Sequence, residues 1–185
     1  TNAWQRADIL KKVADLMRTQ SKELAQITVS EAGKPMAEAV GEWVVAAQFF
    51  EWYAEEAKRN YGRVIPASRN NKRMSVIAQP IGVVGIITAW NFPVWNLCRV
   101  WAAALAAGCT IVAKPSEYTP LTAMALMELL VAAGIPAGVA NLVLGNATEI
   151  GETLLARPEV RKIHFVGSTR VGKLLLEGAS LTNTK

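Results

Sequence analysis

Apolar residues recur at helical spacing along residues 1–58. The pattern is carried first by Ile9 and Val13, and then by Val40 and Trp43 after a break at EAGKP. Residues three or four positions apart lie on one face of an α-helix, so each run describes a helix with one apolar face. The sequence therefore predicts two helices that are joined by a turn containing glycine and proline.

The helical spacing is lost in residues 59–80. YGRVIPASRNNK collects glycine, proline, serine and asparagine, which is typical of a loop or linker. RMSVIA, residues 73–78, has the apolar content of a short edge strand, and Pro80 and Gly82 follow it as strand breakers. We expect this segment to be a linker that carries one edge strand.

Residues 81–185 alternate short β-branched runs with stretches of helix length. IGVVGIITA, TIVAK, NLVLG and KIHFVG are typical of buried strands. The second helix of this region has the clearest boundaries, with Thr119 as N-cap, Pro120 in the first turn and Gly134 at the C-terminal end. This alternation predicts an α/β fold with a Rossmann-like, doubly wound parallel sheet whose crossovers are right-handed.

The loop after the fourth predicted strand contains Gly167, Gly172 and Lys173, which form G-x-x-x-x-G-K. The phosphate-binding loop of an ATPase requires Ser or Thr at the next position, because that hydroxyl binds magnesium. Leu174 stands there instead, which disfavours an ATPase. Two interpretations remain: a helix start that is capped by Ser168, and a glycine turn that approaches a ligand.

Two other strand ends carry residues suited to ligand binding. In a doubly wound sheet, ligands bind beyond the carboxyl ends of the strands, where helix N-termini offer free N–H groups. KPSE, residues 114–117, follows the second strand, where dinucleotide-binding folds place a carboxylate that accepts from ribose hydroxyls. Lys114 is able to bind the same ribose, and an ion pair with Glu117 on the loop surface is the structural alternative. TAWNFP, residues 88–93, ends the first strand with Trp and Asn beside a helix that opens with proline.

Four segments, AWNFP, ALAAGCTIVAKPSEYTPLTA, AGIPAGVANLVLG and FVGSTRVG, occur in this order along the chain. Together they resemble the aldehyde dehydrogenase superfamily, and the resemblance covers nearly the whole chain, including YGRVIP and the preceding helices. It implies that residues 1–185 are an incomplete cofactor-binding domain. Its expected parts are a helical segment at 1–58, a linker with an arm strand at 59–80 and a dinucleotide-binding core at 81–185.

The resemblance also implies roles for individual residues. Asn91 matches the asparagine of WNFP, whose side-chain amide helps to hold the developing oxyanion; the alternative is a buried Asn that bonds its own loop. Lys114 and Glu117 would bind the adenosine ribose, and Gly167 would approach the pyrophosphate. The implied cofactor-binding residues are Thr88, Ala89, Trp90, Lys114, Ser116, Glu117, Gly151, Phe165, Gly167, Ser168, Val171 and Gly172.

In that superfamily a cysteine attacks the aldehyde to form a thiohemiacetal, hydride passes to the nicotinamide, and a glutamate assists hydrolysis of the thioester. The resemblance implies that both groups belong to motifs later than residue 185, so the chain alone is expected to be inactive. Cys98 and Cys109 lie in apolar segments and are expected to be core residues. His164, the single histidine, is expected to be structural.

The chain departs from the family pattern near Asn91. Val100 stands nine residues later, where many relatives have lysine, so the proton-relay role of that lysine has no matching group here. Arg99 is the candidate for partial compensation. The other departures are Ala89 and Ala103 in place of proline, and Val166 in place of threonine.

Glu117 favours NAD as cofactor, because a carboxylate bonds a free 2′-hydroxyl and repels a 2′-phosphate. Ser116 and Lys114 keep NADP as the alternative. EEAKRNYGRVIP and ALAAGCT look most like the semialdehyde dehydrogenase branch, with succinate semialdehyde as the best-known substrate. Three alternatives stay open: an acyl-CoA-forming enzyme, a non-catalytic dinucleotide-binding module, and an oligomerisation domain that uses the apolar helix EWVVAAQFFEWYAEE.

Composition narrows the expected partners. The net charge is +5, but the basic residues are mixed with acids and asparagines and have no aromatic ladder beside them, so we expect no nucleic-acid partner. No apolar run reaches the roughly 18 residues of a membrane span, and the two cysteines have neither metal nor disulfide spacing. We expect a cytoplasmic protein without a metal, which acts on a small aldehyde. Relatives assemble as dimers or tetramers, and RMSVIA resembles part of their strand arm.

Overall fold

A computed structural model gives the architecture of residues 1–182 and 184–185. Within these residues the chain forms seven helices and six strands. The helices are α1 (Ala3–Thr19), α2 (Ser21–Ala32), α3 (Met36–Lys58), α4 (Pro93–Ala106), α5 (Pro120–Ala133), α6 (Ala147–Ala156) and α7 (Thr169–Thr182). The strands are β1 (Arg63–Ile65), β2 (Met74–Val76), β3 (Val83–Ile87), β4 (Thr110–Lys114), β5 (Ala140–Leu142) and β6 (Val160–Phe165).

Four strands form a parallel sheet in the order β5-β4-β3-β6. β3 lies between β4 and β6, with Ile87 in register with Lys114 on one side and with Phe165 on the other. The carboxyl ends of β4, β3 and β6 therefore lie side by side at one edge of the sheet. This parallel sheet flanked by helices confirms the predicted α/β fold class.

Helices cover both faces of the sheet. Side chains alternate along β3, so Val84 and Ile86 enter the core that α1–α5 form. Gly85 lies on the opposite face, where a Cβ atom would stand 2.7 Å from Ile163 Cδ1 and 3.4 Å from Leu154 Cδ1 of α6. Glycine at this position lets α6 and β6 pack closely on β3.

Helices α1–α3 form a layer that packs on α4 and α5 and shares one apolar core with them. A buried polar contact ties three of these helices together. The Trp43 indole N–H donates to Thr28 Oγ at 3.0 Å, and that hydroxyl lies 3.1 Å from the Thr122 hydroxyl of α5. The first 58 residues are therefore part of the core that supports the sheet.

The prediction of a single helix before the break at EAGKP was wrong. The helix breaks at Gln20, whose backbone has φ −102° and ψ 12°, so α1 ends at Thr19 and α2 begins at Ser21. Neither glycine nor proline marks this break in the sequence. The change of direction lets both helices bury their apolar faces in the same core, with Leu24 only 6% exposed.

The prediction for residues 59–80 was right about β2 and wrong about β1. YGRVIPASRNNK was interpreted as a loop, but Arg63–Ile65 form β1, which pairs antiparallel with β2. Both strands are exposed on both faces, so no alternation of apolar and polar residues indicated β1 in the sequence. Gly62 permits the close approach of the two strands, because a Cβ atom there would collide with the Val76 carbonyl group.

The last strands of the sheet start earlier than predicted. β5 was expected at residues 141–145, and β6 was expected at residues 162–167; they occupy Ala140–Leu142 and Val160–Phe165. Beyond α7, Lys185 lies beside β6: its N–H donates to Arg161 O at 3.1 Å, and its carbonyl accepts from Ile163 N at 2.7 Å. No helix in the described ranges is long and apolar enough to cross a membrane.

The N-terminus of α5 is capped by a residue from another helix. Thr119 occupies the predicted N-cap position but makes no side-chain capping bond. The Glu31 carboxylate of α2 instead accepts from Leu121 N at 2.8 Å and from Thr122 N at 2.7 Å. A carboxylate at this end also faces the positive end of the helix dipole.

We predict that Glu31→Ala lowers the free energy of unfolding by about 1 kcal/mol, because two N–H groups of α5 lose their acceptor. Urea denaturation followed by tryptophan fluorescence measures the change. The control is Glu128→Ala, an exposed position on α5, which is expected to change stability by less than about 0.5 kcal/mol. Equal stability of the two variants would contradict the capping role.

Candidate functional site

Three loops leave the sheet from neighbouring points at the same edge. Backbone hydrogen bonds extend the ladder just past the strand ends: Thr88 N donates to Lys114 O at 3.2 Å, and Val166 N donates to Ile87 O at 2.9 Å. The loops that follow β3, β4 and β6 therefore start side by side. The structure brings together the three strand ends to which the sequence assigned ligand-binding residues.

The loop between β3 and α4 carries Thr88, Ala89, Trp90 and Asn91. Thr88 is buried, Ala89 is half-buried, and Trp90 and Asn91 are exposed. The side-chain oxygen of Asn91 accepts from Asn96 Nδ2 at 3.5 Å, whereas its amide nitrogen has no hydrogen-bond partner among the described residues. Asn91 is thus exposed, whereas the structural alternative required a buried residue.

The end of β4 carries a lysine–glutamate pair. Lys114 is 3% exposed, and its ammonium group donates to Pro115 O at 3.0 Å and to Glu117 Oε2 at 2.9 Å. The Glu117 side chain is 60% exposed, so its carboxylate remains open to a ligand. The hydrogen bond from Lys114 lowers the pKa of the Glu117 carboxyl group, which therefore stays ionised at neutral pH. Ser116 is buried, and its hydroxyl accepts from Tyr118 N at 3.2 Å.

The loop between β6 and α7 packs around a phenyl ring. A Cβ atom at Gly167 would stand 2.8 Å from Phe165 Cε2, and one at Gly172 would stand 3.4 Å from Phe165 Cε1. The Ser168 hydroxyl accepts from Val171 N at 3.4 Å, which is the helix-capping interaction that the sequence allowed. Both glycines therefore keep the loop and the first turn of α7 close to the ring.

Gly151 is the one implied cofactor-binding residue that lies away from the three strand ends and from the start of α7. It lies buried inside α6, where a Cβ atom would stand 3.9 Å from Leu175 Cδ2 of α7. Gly178 of α7 faces Leu155 of α6 in the same way. Contact between α6 and α7 accounts for Gly151, and the structure does not group it with the residues of the three loops.

A groove runs along the sheet beside α4, between α3, α4 and the strands β3 and β6. Its volume is about 570 Å³, and it is lined by apolar residues together with Arg99, Lys162 and His164. Arg99 Nε and His164 Nε2 are buried atoms that have no hydrogen-bond partner in the described part of the chain. Burial lowers the pKa of His164, and the charges of Arg99 and Lys162 lower it further. Sequence reasoning did not find this groove, because its lining comes from α3, α4 and two strands.

Both cysteines lie in the core, as predicted. Cys98 is fully buried in α4, and burial raises the pKa of its thiol well above the ordinary value. Cys109 is 5% exposed. Reactive cysteines have a lowered pKa and access to solvent, so neither thiol has the properties of a nucleophile. In residues 1–182 and 184–185, no group of three or more His, Cys, Asp and Glu side chains is arranged to hold a metal ion.

Sequence reasoning also missed a contact to the loop of Asn91. The Lys34 ammonium group donates to the Asn91 carbonyl oxygen at 3.1 Å, from a position 57 residues earlier in the chain. No local motif indicates such a contact. Only the packing of α3, which begins just after Lys34, against α4 brings the two residues together.

Comparison with known proteins gives a consistent result. A family model described as "Aldehyde dehydrogenase family" matches residues 1–185. The chain is 51% identical over 183 residues to the mitochondrial succinate-semialdehyde dehydrogenase of Arabidopsis thaliana, and it is 50% identical over 175 residues to the NADP(+) succinate-semialdehyde dehydrogenase GabD of Escherichia coli. These matches cover 99% and 95% of this chain, but only 35% and 36% of the relatives. The chain thus spans about a third of their length.

The fold of this chain also matches solved structures of aldehyde dehydrogenases. An aldehyde dehydrogenase from Brucella melitensis biovar abortus superposes with a TM-score of 0.96 at 51% identity, and an NAD-dependent aldehyde dehydrogenase from Sinorhizobium meliloti superposes with a TM-score of 0.96 at 39% identity. All of this chain is covered in both cases, against 38% and 37% of the solved chains.

We predict that Gly167→Ala lowers the free energy of unfolding by about 1–2 kcal/mol, because the added methyl group overlaps the half-buried Phe165 ring. Urea denaturation of the chain measures the change. Gly41→Ala is the matched control, since Gly41 lies inside α3 with nothing within 4 Å of the added atom. This control is expected to gain about 0.5–1 kcal/mol from higher helix propensity. A Gly167→Ala variant as stable as the parent chain would show that the ring is free to move aside.

Proposed function

Because this chain belongs to the aldehyde dehydrogenase family, we propose that it forms the coenzyme-binding part of an enzyme that oxidises a semialdehyde to a carboxylic acid. NAD is the proposed coenzyme, with NADP as the alternative, and it supplies the acceptor for the hydride that leaves the aldehyde carbon. The observation that carries this proposal is the convergence of the ends of β3, β4 and β6 at one sheet edge. Asn91, the Lys114–Glu117 pair and Gly167 follow these three ends.

The Lys114–Glu117 pair fits a ribose. A sugar hydroxyl both accepts and donates, so it is able to accept from the Lys114 ammonium group while it donates to the Glu117 carboxylate. Lys114 is held in a fixed position by its burial and by its bond to Pro115 O, and Glu117 is exposed to an incoming ligand. The pair therefore offers a preformed acceptor and donor that need little rearrangement.

The same pair underlies the proposed preference for NAD. An ionised Glu117 attracts the free 2′-hydroxyl of NAD and repels the 2′-phosphate of NADP. Lys114 offers a positive charge that a 2′-phosphate would also use, which is why NADP stays the alternative. The relatives are divided in the same way, since one is named for NADP and another is NAD-dependent.

The start of α7 fits the pyrophosphate. The helix is 14 residues long and begins at Thr169, so the free N–H groups of its first turn and its dipole favour an anion there. Gly167 presents backbone without a side chain in the preceding loop, and Ser168 adds a hydroxyl. We assign Trp90 and Phe165 to the walls of the coenzyme site because they flank the same strand ends.

Asn91 is proposed to stabilise the oxygen of the aldehyde as negative charge develops on it. Its amide nitrogen is free among the described residues, and a neutral donor stabilises an oxyanion without opposing departure of the hydride. The nucleophile is assigned to a part of the enzyme outside this chain, because Cys98 and Cys109 are both buried. The general base is assigned there with it, as the family resemblance implies. The chain on its own is therefore expected to bind coenzyme without turnover of aldehyde.

The groove beside α4 supports an anionic aldehyde as substrate. It combines an apolar lining with Arg99, and the unpartnered Nε of that residue is suited to a carboxylate. Arg99 lies two helical turns along α4 from the loop of Asn91, and helical side chains lean toward the helix N-terminus. We propose that the carboxylate of such a substrate binds Arg99, as the names of the relatives also suggest.

The exposed β1–β2 ribbon supports a proposal about assembly. The β1–β2 ribbon exposes Val64, Ile65, Met74 and Val76, and such an apolar ribbon is suited to pair with another copy of the chain. A homodimer or homotetramer follows from that use of the ribbon. We propose a cytoplasmic location, although the Arabidopsis relative is named as mitochondrial.

Titration calorimetry of this chain with NAD and NADP tests the coenzyme proposal. We predict detectable NAD binding that Lys114→Ala and Glu117→Ala each weaken about 10-fold, since each removes one hydrogen bond to a charged group. Glu152→Ala, an exposed position on α6, is the control and leaves the affinity unchanged. Unchanged NAD affinity in both site variants would count against the ribose contacts. NADP binding stronger than NAD binding would reverse the assigned preference.

A second experiment tests the substrate class in an active aldehyde dehydrogenase that contains this chain. We predict that Arg99→Leu raises KM for succinate semialdehyde at least about 10-fold, because the carboxylate loses its charged hydrogen-bond partner. KM for butanal, which has no carboxylate, is the internal control and stays within about 2-fold. A parallel rise for both aldehydes would indicate general damage to the groove and would argue against carboxylate recognition.

A further inference from the structure

The first turn of α4 is capped by a carboxylate from α3. Glu42 Oε1 accepts from Val94 N at 2.9 Å and from Trp95 N at 3.0 Å, across a sequence separation of more than 50 residues. The side chain of Glu42 is only 3% exposed. Phe92 occupies the N-cap position of α4 and supplies no side-chain bond. Glu42 therefore fixes the point at which the loop of Asn91 becomes a helix.

Lys34 connects this carboxylate to the loop. Its ammonium group lies 2.5 Å from Glu42 Oε2 and donates to the Asn91 carbonyl oxygen at 3.1 Å. The same nitrogen lies 4.2 Å from the centre of the Phe92 ring, within the range of a cation–π contact. One lysine thus contacts the carboxylate cap and two successive residues of the loop.

The side chain of Asn91 is oriented from the other side. Asn96 is 6% exposed in the second turn of α4, and its Nδ2 group lies 3.5 Å from Asn91 Oδ1. This contact takes up the acceptor end of the Asn91 amide. It leaves the N–H donors available, and these are the atoms that an oxyanion requires.

We propose that Lys34 and Glu42 are positioning residues for Asn91. They fix its main chain through the Asn91 carbonyl and the first turn of α4, so that the amide nitrogen is already in place when charge develops on the substrate oxygen. This inference rests on the proposed oxyanion role of Asn91. A donor contributes most when it is held rigidly before the reaction, and an error of about 1 Å in such a group costs up to about 100-fold in rate.

Capping of α4 does not by itself account for the Lys34–Glu42 pair. Glu42 satisfies both backbone N–H groups with one oxygen, and the lysine is not needed for that bond. Lys34 follows Gly33, which ends α2 with φ 64°. This left-handed turn places the Lys34 side chain beside the loop of Asn91. The pair is also poorly exposed, with 11% of the Lys34 side chain accessible, so solvent screens the contact weakly.

The test uses a double-mutant cycle in an active aldehyde dehydrogenase that contains this chain. Lys34→Met is expected to lower kcat about 10-fold while the dissociation constant for NAD, set by the ends of β4 and β6, stays within about 2-fold. Lys34→Arg, which keeps the charge and can still donate, is expected to recover most of kcat. In an Asn91→Ala background, Lys34→Met is expected to lower kcat by less than about 2-fold, because the group that it positions is absent.

The control is Lys11→Met, which breaks the exposed Lys11–Glu55 pair at 2.6 Å on the same helical layer and is expected to leave kcat unchanged. Equal loss of kcat from Lys34→Met with and without Asn91 would overturn the inference, as would an unchanged kcat in the single variant. If Lys34→Met does not fold, Glu42→Gln replaces it in the cycle, because the amide oxygen still caps α4. An Asn91→Ala variant with full activity would instead refute the proposed oxyanion role itself.

Discussion

The proposed chemistry of this chain depends on the parallel register of β3 with its two neighbours. Ile87 lies opposite Lys114 on one side and opposite Phe165 on the other, so three loops leave the sheet from one edge. An antiparallel neighbour would send one of these loops to the opposite edge. Burial on both faces and Gly85 at the centre of β3 maintain this register, because a side chain at position 85 would push β6 and α6 away.

The helical layer stabilises the same edge through two carboxylates. Glu31 binds the first turn of α5, and Glu42 binds the first turn of α4. Both helices open with proline, and neither has a capping side chain of its own. Each glutamate therefore supplies acceptors that a local N-cap residue would normally supply. The positions of the β3–α4 and β4–α5 loops depend on residues that are remote in sequence.

Most of the sheet and its helices could be predicted from the sequence, because their signals are local. TIVAK is β4, and Pro120 and Gly134 mark α5, with Gly134 at φ 94°. The break at Gln20 could not be predicted because neither glycine nor proline marks it. The strand β1 could not be predicted because its three residues show no alternation of buried and exposed positions, and the glycine and proline around it are typical of a loop. For the site, the strand-end motifs indicated the three loops, whereas Lys34, Glu42 and the groove of Arg99 depend on tertiary packing.

The two long-range carboxylate caps have a consequence for how the chain unfolds. Helices α4 and α5 lose acceptors for their first N–H groups as soon as α2 and α3 detach. The hydrogen bonds that join the two layers connect residues 52 and 90 positions apart in the chain. Neither layer gains its full set of contacts before the other is in place. The helices α2, α3, α4 and α5 are therefore coupled as a single cooperative unit with one common opening free energy.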